Sequence, residues 1–186
     1  MKIGIISDTH GSEDCWKMAF DSFFHDADLI LHAGDVLYHG PRNPLQADYG
    51  PARLAERLNA CPVSIVAARG NCDSEVDASV LDMVLASPYA FVAEGGHRIV
   101  VTHGHFTEDD EEKDALAARL QADIFISGHT HIGGLVKRGQ TVFVNPGSPS
   151  LSKRPDGRQT IALLDGATLS LHDLYTGEVL ETMTLG

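Results

Sequence analysis

The chain opens on a continuously apolar run from Lys2 to Ser7 that stops at Asp8, the pattern of a short strand buried on both faces. Between Ser12 and His25 the apolar positions Cys15, Trp16, Ala19, Phe20, Phe23 and Phe24 recur at helical spacing, with Ser12 placed to cap the first turn. Asp28 to Ala33 returns to strand texture and halts at Gly34-Asp35. Tyr38 to Tyr49, rich in Gly, Pro and Asn, predicts a loop, and Pro51 to Asn59 a helix with proline near its first turn. Val63 to Ala67 is a third strand, ending at Gly70-Asn71. In the second half, Ala90 to Glu94 and Arg98 to Thr102 read as a hairpin around Gly95-Gly96-His97, whose second arm delivers His103. Thr107, with Asp110 three residues on, is expected to cap a helix running to Leu120. Asp123 to Ser127 is a strand that delivers His129 and His131. From Gly133 the texture becomes a meander, with strand-like runs at Leu135 to Arg138, Thr141 to Asn145, Thr160 to Leu164, Leu169 to Leu174 and Val179 to Leu185.

Again and again an apolar strand runs into a turn bearing Asp, Asn or His. In α/β sheets ligands bind outside the carboxyl ends of the strands, so these turns are candidate site positions. A chain that begins β-α-β and ends in hairpins can close as two sheets packed face to face with helices outside. No linker, repeat or low-complexity tract interrupts the 186 residues, so residues 1–186 are expected to form one domain.

A formal net charge of -12 argues against sequence-independent binding to nucleic acid, which needs clustered Lys and Arg facing phosphates. Small substrates are favoured instead. The densest acidic stretch, Glu108 to Asp114, reads as a solvated helix start. Three cysteines, Cys15, Cys61 and Cys72, form no CxxC and suit a reducing compartment. No run approaches the roughly 20 apolar residues of a membrane span. A soluble, cytoplasmic protein is expected, without stable contact to nucleic acid or membrane; homo-oligomerisation stays open.

The candidate chemistry lies in Asp8-x-His10, Gly34-Asp35, Gly70-Asn71-Cys72-Asp73, Thr102-His103-Gly104-His105 and Gly128-His129-Thr130-His131. Each motif alone is an ordinary turn. Together they offer seven side chains able to bind metal: Asp8, His10, Asp35, Asn71, His103, His129 and His131. Carboxylates, imidazoles and a carboxamide suit Mn, Fe, Co or Zn in a catalytic site better than a structural zinc, which favours thiolates. One carboxylate can bridge two cations, so two divalent ions are expected, with Mn the foremost activator and Fe, Co, Ni or Zn as alternatives.

The order DTH, GDV, GNCD, THGH and GHTH, followed by NPGS at Asn145 to Ser148, resembles the calcineurin-like metallophosphoesterase superfamily. More narrowly, Gly34 to Pro44, Tyr49 to Asn59 and Gly70 to Asp77 resemble the bacterial YfcE-type phosphodiesterases. The resemblance implies Asp8, His10, Asp35 and His131 on one ion, and Asp35, Asn71, His103 and His129 on the other. It also implies a four-layer α/β/β/α sandwich of two mixed sheets.

One departure bears on substrate. Many members of the superfamily place a His after the metal-binding Asn, where it can protonate a leaving group; here the residue is Cys72, an uncharged thiol by its ordinary pKa near 8.5. Asp73 would ordinarily orient the missing His. The chain is therefore expected to handle dianionic monoesters poorly. The reading is a metal-dependent phosphodiesterase in which a hydroxide held between two ions about 4 Å apart attacks a small diester in line. The alternatives are a phosphomonoesterase or nucleotide pyrophosphatase, or a non-catalytic scaffold of the kind the retromer subunit builds on a similar fold. A scaffold can lose ligands, and this chain keeps all seven. Asn71, Cys72, Asp73 and His105 complete the candidate catalytic set, with His105 either lining the cleft or closing its turn. Arg42 is the nearest loop cation for a substrate phosphate or carboxylate, although exposed loop arginines are commonplace. His32 is expected to be a hydrogen-bonded core residue. His25, His39, His97 and His172 lack ligand-like context.

Overall fold

The computed structural model describes residues 1–107 and 109–185, so Glu108, the first residue of the acidic stretch, lies outside the described residues. Lys2–Ile6 (β1), Leu29–His32 (β2), Ile65–Ala68 (β3) and Leu85–Ala86 (β4) pair in parallel. In the second sheet, Ala90–Glu94 (β5), His97–Thr102 (β6), Ile124–Ser127 (β7), Gly134–Arg138 (β8) and Thr141–Asn145 (β9) lie in the order β5-β6-β7-β9-β8. Its three central strands are parallel, and β5 and β8 are antiparallel edges. Thr160–Asp165 (β10), Thr168–Asp173 (β11) and Val179–Thr184 (β12) return to the first sheet as an antiparallel meander beside β1. That sheet has seven strands, ordered β12-β11-β10-β1-β2-β3-β4.

Side-chain alternation decides how the layers stack. On β1, Ile3 and Ile5 face the second sheet while Ile6 faces outward; on β7, Ile124 and Ile126 face inward and Phe125 outward. Both strands are thus buried on both faces, as continuously apolar runs require. Ile3, Ile5 and Leu31 meet Ile99, Val101, Ile124 and Ile126 between the sheets. The helices Glu13–Ala19 (α1) and Pro51–Asn59 (α2) cover the outer face of the seven-stranded sheet, placing Trp16, Leu54 and Leu58 over Ile6, Ile30 and Ile161. Asp110–Leu120 (α4) covers the other sheet through Leu116 and Ala117. The result is the α/β/β/α sandwich of two mixed sheets.

Four local expectations need correction. The α-helix from Glu13 stops at Ala19 and continues as a π-helical turn over Phe20–Phe24, closed by the His25 amide on the Phe20 carbonyl at 2.9 Å, which keeps Phe23 and Phe24 buried. Asp109, not Thr107, caps α4: its carboxylate accepts the Glu112 amide at 2.9 Å, while the Thr107 hydroxyl donates to the Gly104 carbonyl at 3.0 Å. A charged oxygen next to a helix N-terminus outcompetes a hydroxyl two residues earlier. Val63 and Ser64 precede the third strand, which runs on to Ala68. A short helix, Glu75–Val80 (α3), and β4 were not expected: α3 buries no residue and exposes Val76 and Val80, leaving no apolar period to read, and the half-buried Leu85 and Ala86 of β4 are too few to show one.

The sheet register positions the site. Ile6 pairs with His32 and His32 with Ala67, while Thr102 pairs with Ser127. The carboxyl ends of β1, β2, β3, β6 and β7 therefore release their Asp, Asn and His turns at one edge of the sandwich.

Candidate metal centre

At that edge Asp8 is fully buried and held by one oxygen. Its Oδ2 accepts the Ser7 hydroxyl at 2.6 Å and the His129 amide at 3.0 Å, whereas Oδ1 has no hydrogen-bond partner. Asp35 is divided in the same way. Its Oδ1 accepts the Cys72 amide at 2.8 Å, and Oδ2 lies 3.2 Å from His103 Nε2 and 3.8 Å from His10 Nε2. Each carboxylate thus spends one oxygen on the protein and turns the other into a common space.

Three imidazoles do likewise. Nδ1 of His10, His103 and His131 donates to the carbonyls of Tyr38, Ala33 and Leu151 at 2.8, 2.7 and 2.6 Å. That bond fixes the tautomer and leaves Nε2 as a lone pair when the ring is neutral. His10 Nε2 and His131 Nε2 stand 3.2 Å apart, and they lie 3.6 and 3.2 Å from the partnerless Asp8 Oδ1. His129, exposed at the rim, turns Nδ1 to within 3.3 Å of His103 Nε2. Acceptors crowded this closely are stable only around protons or a cation. The donor set therefore fits divalent metal, and candidate ligand groups form at Asp8-His10-His131 and Asp8-Asp35-His103.

Backbone geometry supports the same arrangement. Asp8, His10, Asp35, His129 and His131 all have positive φ, between 46° and 70°, a conformation that costs residues other than Gly of order 1–3 kcal/mol each. Gln121, at the end of α4, is the one other such residue among the described non-glycines. Two glycines make room for the carboxylates: a Cβ at Gly70 would fall 2.1 Å from Asp35 Oδ1, and one at Gly128 2.5 Å from Asp8 Oδ2.

Behind this inner ring lie supports that the sequence reading missed or placed differently. Ser148 and Ser150 donate their hydroxyls to the Asp8 carbonyl at 2.8 and 3.2 Å, and Asn145 Nδ2 donates to the Gly128 carbonyl at 3.0 Å. NPGS hinted at Asn145 and Ser148, and nothing in the sequence at Ser150. Asp73 sits among backbone amides, accepting from Gly70 at 2.7 Å, Asp35 at 2.9 Å and Val36 at 2.7 Å. It ties the turn after β3 to the turn after β2 and positions Asp35. His32 is the buried core residue expected. Its Nδ1 accepts the Gly34 amide at 3.1 Å and its Nε2 donates to Thr9 Oγ1 at 3.1 Å. His105 packs on Phe106 with ring centres 3.7 Å apart and planes tilted by 42°, its ring 5.4 Å from that of His103, and it is not among the residues lining the cleft above the centre. That cleft, of about 470 Å³, is lined by Asp35, Asn71, Cys72, His129 and His131 of the candidate site together with Tyr38, Arg42, Asn43 and Lys153. Lys153 is an addition: in sequence it belonged to a charged loop of no evident role.

Burial opposes charge on Asp8, yet His10, His131 and His103 hold its carboxyl well below the usual range. Burial alone would lower His103, but Asp35 and Asp8 push it up to about 9; His10 is raised through Asp8 in spite of burial. His32, buried without a carboxylate contact, is pushed down to about 4. Protons occupy the centre when metal does not. A raised His103 stabilises the fold below pH 6.5 and loses that contribution as pH climbs through about 9; a depressed His32 costs stability as pH falls from 6.5 through about 4. Metal-free protein should accordingly melt highest near pH 6.5, and the increment conferred by added Mn should grow from there towards pH 9 as competing protons leave. Thermal melts with and without chelator test this, and a metal increment that is flat or falling across that range counts against the ligand set.

A cleft lined by Asp35, His129 and His131, with Asp8, His10 and His103 buried beside them at the carboxyl ends of a two-sheet sandwich, defines a metal-dependent phosphoesterase. Residues 1–168 match the family model of the calcineurin-like phosphoesterase superfamily domain, and the chain belongs to that superfamily. It is 38% identical to phosphodiesterase YfcE of Escherichia coli K12 over 172 residues, 92% of this chain and 91% of the relative. The solved structure of that E. coli phosphoesterase superposes with a TM-score of 0.87, covering 100% of both chains at 32% identity over the longer structural alignment. A probable metallophosphoesterase of Methanothermobacter thermautotrophicus is 31% identical over 182 residues, 95% of this chain and 94% of the relative. Zinc-complexed Vps29 of Entamoeba histolytica, at TM-score 0.68, 19% identity and full coverage of both chains, shares the fold alone.

Proposed function

We propose that the chain hydrolyses small phosphodiesters using two divalent ions, one held by Asp8, His10, Asp35 and His131 and the other by Asp35, Asn71, His103 and His129. The observation that carries this reading is the set of acceptors turned inward and crowded together, the partnerless Asp8 Oδ1 with Asp35 Oδ2 and the imidazole nitrogens, beside an open cleft. Two such ions supply Lewis acidity at the phosphoryl oxygens and acidify water, the chemistry of in-line displacement by hydroxide. The protein's own part is positional. Asp73 and the Cys72 amide fix Asp35; Ser7, Ser148 and Ser150 fix Asp8; the Tyr38, Ala33 and Leu151 carbonyls fix three rings. Cys72 faces the cleft where an acid for a leaving group would stand, and burial with the neighbouring Asp35 pushes its thiol up to about 12. A neutral thiol suits the single charge of a diester with a good leaving group better than the near-double charge of a monoester.

The experiment is a panel of cyclic nucleotides, dinucleotides, glycerophosphodiesters and mononucleotides, run after chelation and again after adding Mn, Fe, Co, Ni or Zn. Activity on diesters should vanish on chelation and return with Mn most fully. Undiminished diester turnover by protein shown to contain no metal would refute the reading.

A further inference from the structure

Most lysines and arginines of this acidic chain, Arg53, Arg57, Arg69 and Arg158 among them, are engaged with carboxylates. Arg42 and Lys153 have no such partner among the described residues, and both line the cleft above the metal centre. Their attachment to the centre is direct. The Lys153 amide donates to the His131 carbonyl at 3.0 Å, and Leu151, two residues earlier, accepts from the His131 ring, so the loop carrying Lys153 is fastened to a candidate ligand on both sides. The loop of Arg42 is closed by Asn43 Nδ2 donating to the His39 carbonyl at 2.8 Å, and it packs so near Cys72 that a Cβ at Gly40 would lie 3.1 Å from Sγ.

A diester phosphate carries one negative charge, and its phosphorus must lie against the metal ligands on the cleft floor. Two more cations lining the same cleft, neither in an ion pair with a carboxylate among the described residues, exceed what that charge needs. We propose, building on the phosphodiesterase reading, that Lys153 and Arg42 form a second anion subsite, and that the substrate is a diester with a further anionic group on one arm. Carboxylate and phosphate share the required chemistry. Tyr38, 42% exposed in the same cleft with its ring edge-on to His39 at 4.6 Å, offers a flat wall along which such an arm can lie.

The test uses three aryl phosphodiesters that differ only at the end of the second arm: carboxylate, phosphate, or neutral methyl amide. Metal-loaded wild type should favour at least one anionic arm over the amide by about tenfold in kcat/KM, mainly through KM, a size reasonable for a charge-assisted contact at a partly exposed rim. Which anion is favoured identifies the group. Lys153→Met should reduce that preference about tenfold at unchanged metal content, whereas Lys137→Met, which removes an exposed cation from β8 outside the cleft, should leave it intact. Equal turnover of all three diesters by wild type, or a preference unmoved by Lys153→Met, overturns the subsite while leaving the phosphodiesterase reading in place. A preference reduced equally by Lys137→Met marks it as general electrostatics and overturns the subsite too. Hydrolysis of none of the three removes the phosphodiesterase reading itself, and the subsite with it.

Discussion

Asp35→Asn is expected to release both metal ions and to lower diester turnover by about 10³-fold or more, against about 10- to 100-fold for removal of the exposed His129 imidazole by His129→Ala. The difference comes from how Asp35 is held. Its Oδ1 accepts the Cys72 amide at 2.8 Å, so in the variant the amide oxygen takes that place and the NH₂ group turns towards His103 and His10. A donor then stands where both proposed ions need a lone pair, and one compensating negative charge is lost. His129 contributes a single nitrogen at the rim, leaving the turn and its carboxylates in place. Metal analysis and steady-state kinetics on a single diester decide the matter. Two ions still bound per chain, with turnover within a few-fold of wild type, would show that Asp35 is not the bridge.

The inner ring was legible because each candidate ligand ends an apolar strand, a pattern in which burial and chemistry are written side by side. Asp8 after Ile5-Ile6-Ser7 and His103 after Val100-Val101-Thr102 are examples. The two-sheet arrangement follows from the same runs, since strands apolar on both faces need a layer on each side. What lay beyond reading was set by three-dimensional neighbours. Lys153 is 22 residues from the nearest ligand, His131, and reaches the cleft only because its loop hydrogen-bonds to His131. Asp73 appeared beside Cys72 as a partner for a side chain at that position, whereas a buried carboxylate close to three free amides binds those amides first. The helix α3 did carry a signal: Ser74 and Asp77 form a capping box, but no apolar stripe follows to draw attention to it.

Replacing Cys72 by histidine should raise the ratio of monoesterase to diesterase activity by about 10²-fold, the lower end of what general acid catalysis supplies. A monoester leaving group departs with more negative charge than a diester's and gains more from a proton donor of pKa near neutrality; a thiol pushed up to about 12 offers that proton poorly. Two features of the site keep the gain at the lower end. Asp73 already accepts three backbone amides, so it has little capacity to orient a new imidazole, and the Gly40 turn lies close enough to Sγ that a larger side chain must swing towards the open cleft. The backbone at position 72 should stay in place, since its amide is bound to Asp35 Oδ1, and with it the metal centre. Cys72→Ala provides the contrast: if the thiol transfers no proton, its removal should leave the ratio within a few-fold of wild type. Kinetics on matched aryl mono- and diesters, with metal content measured in parallel, separate the outcomes. A wild type that already prefers the monoester would remove the diester preference altogether; a Cys72→His ratio that does not move while both ions stay bound would mean that position 72 does not set the substrate class, and the preference for diesters would then have to come from the shape and charge of the wall formed by Tyr38, Arg42 and Lys153.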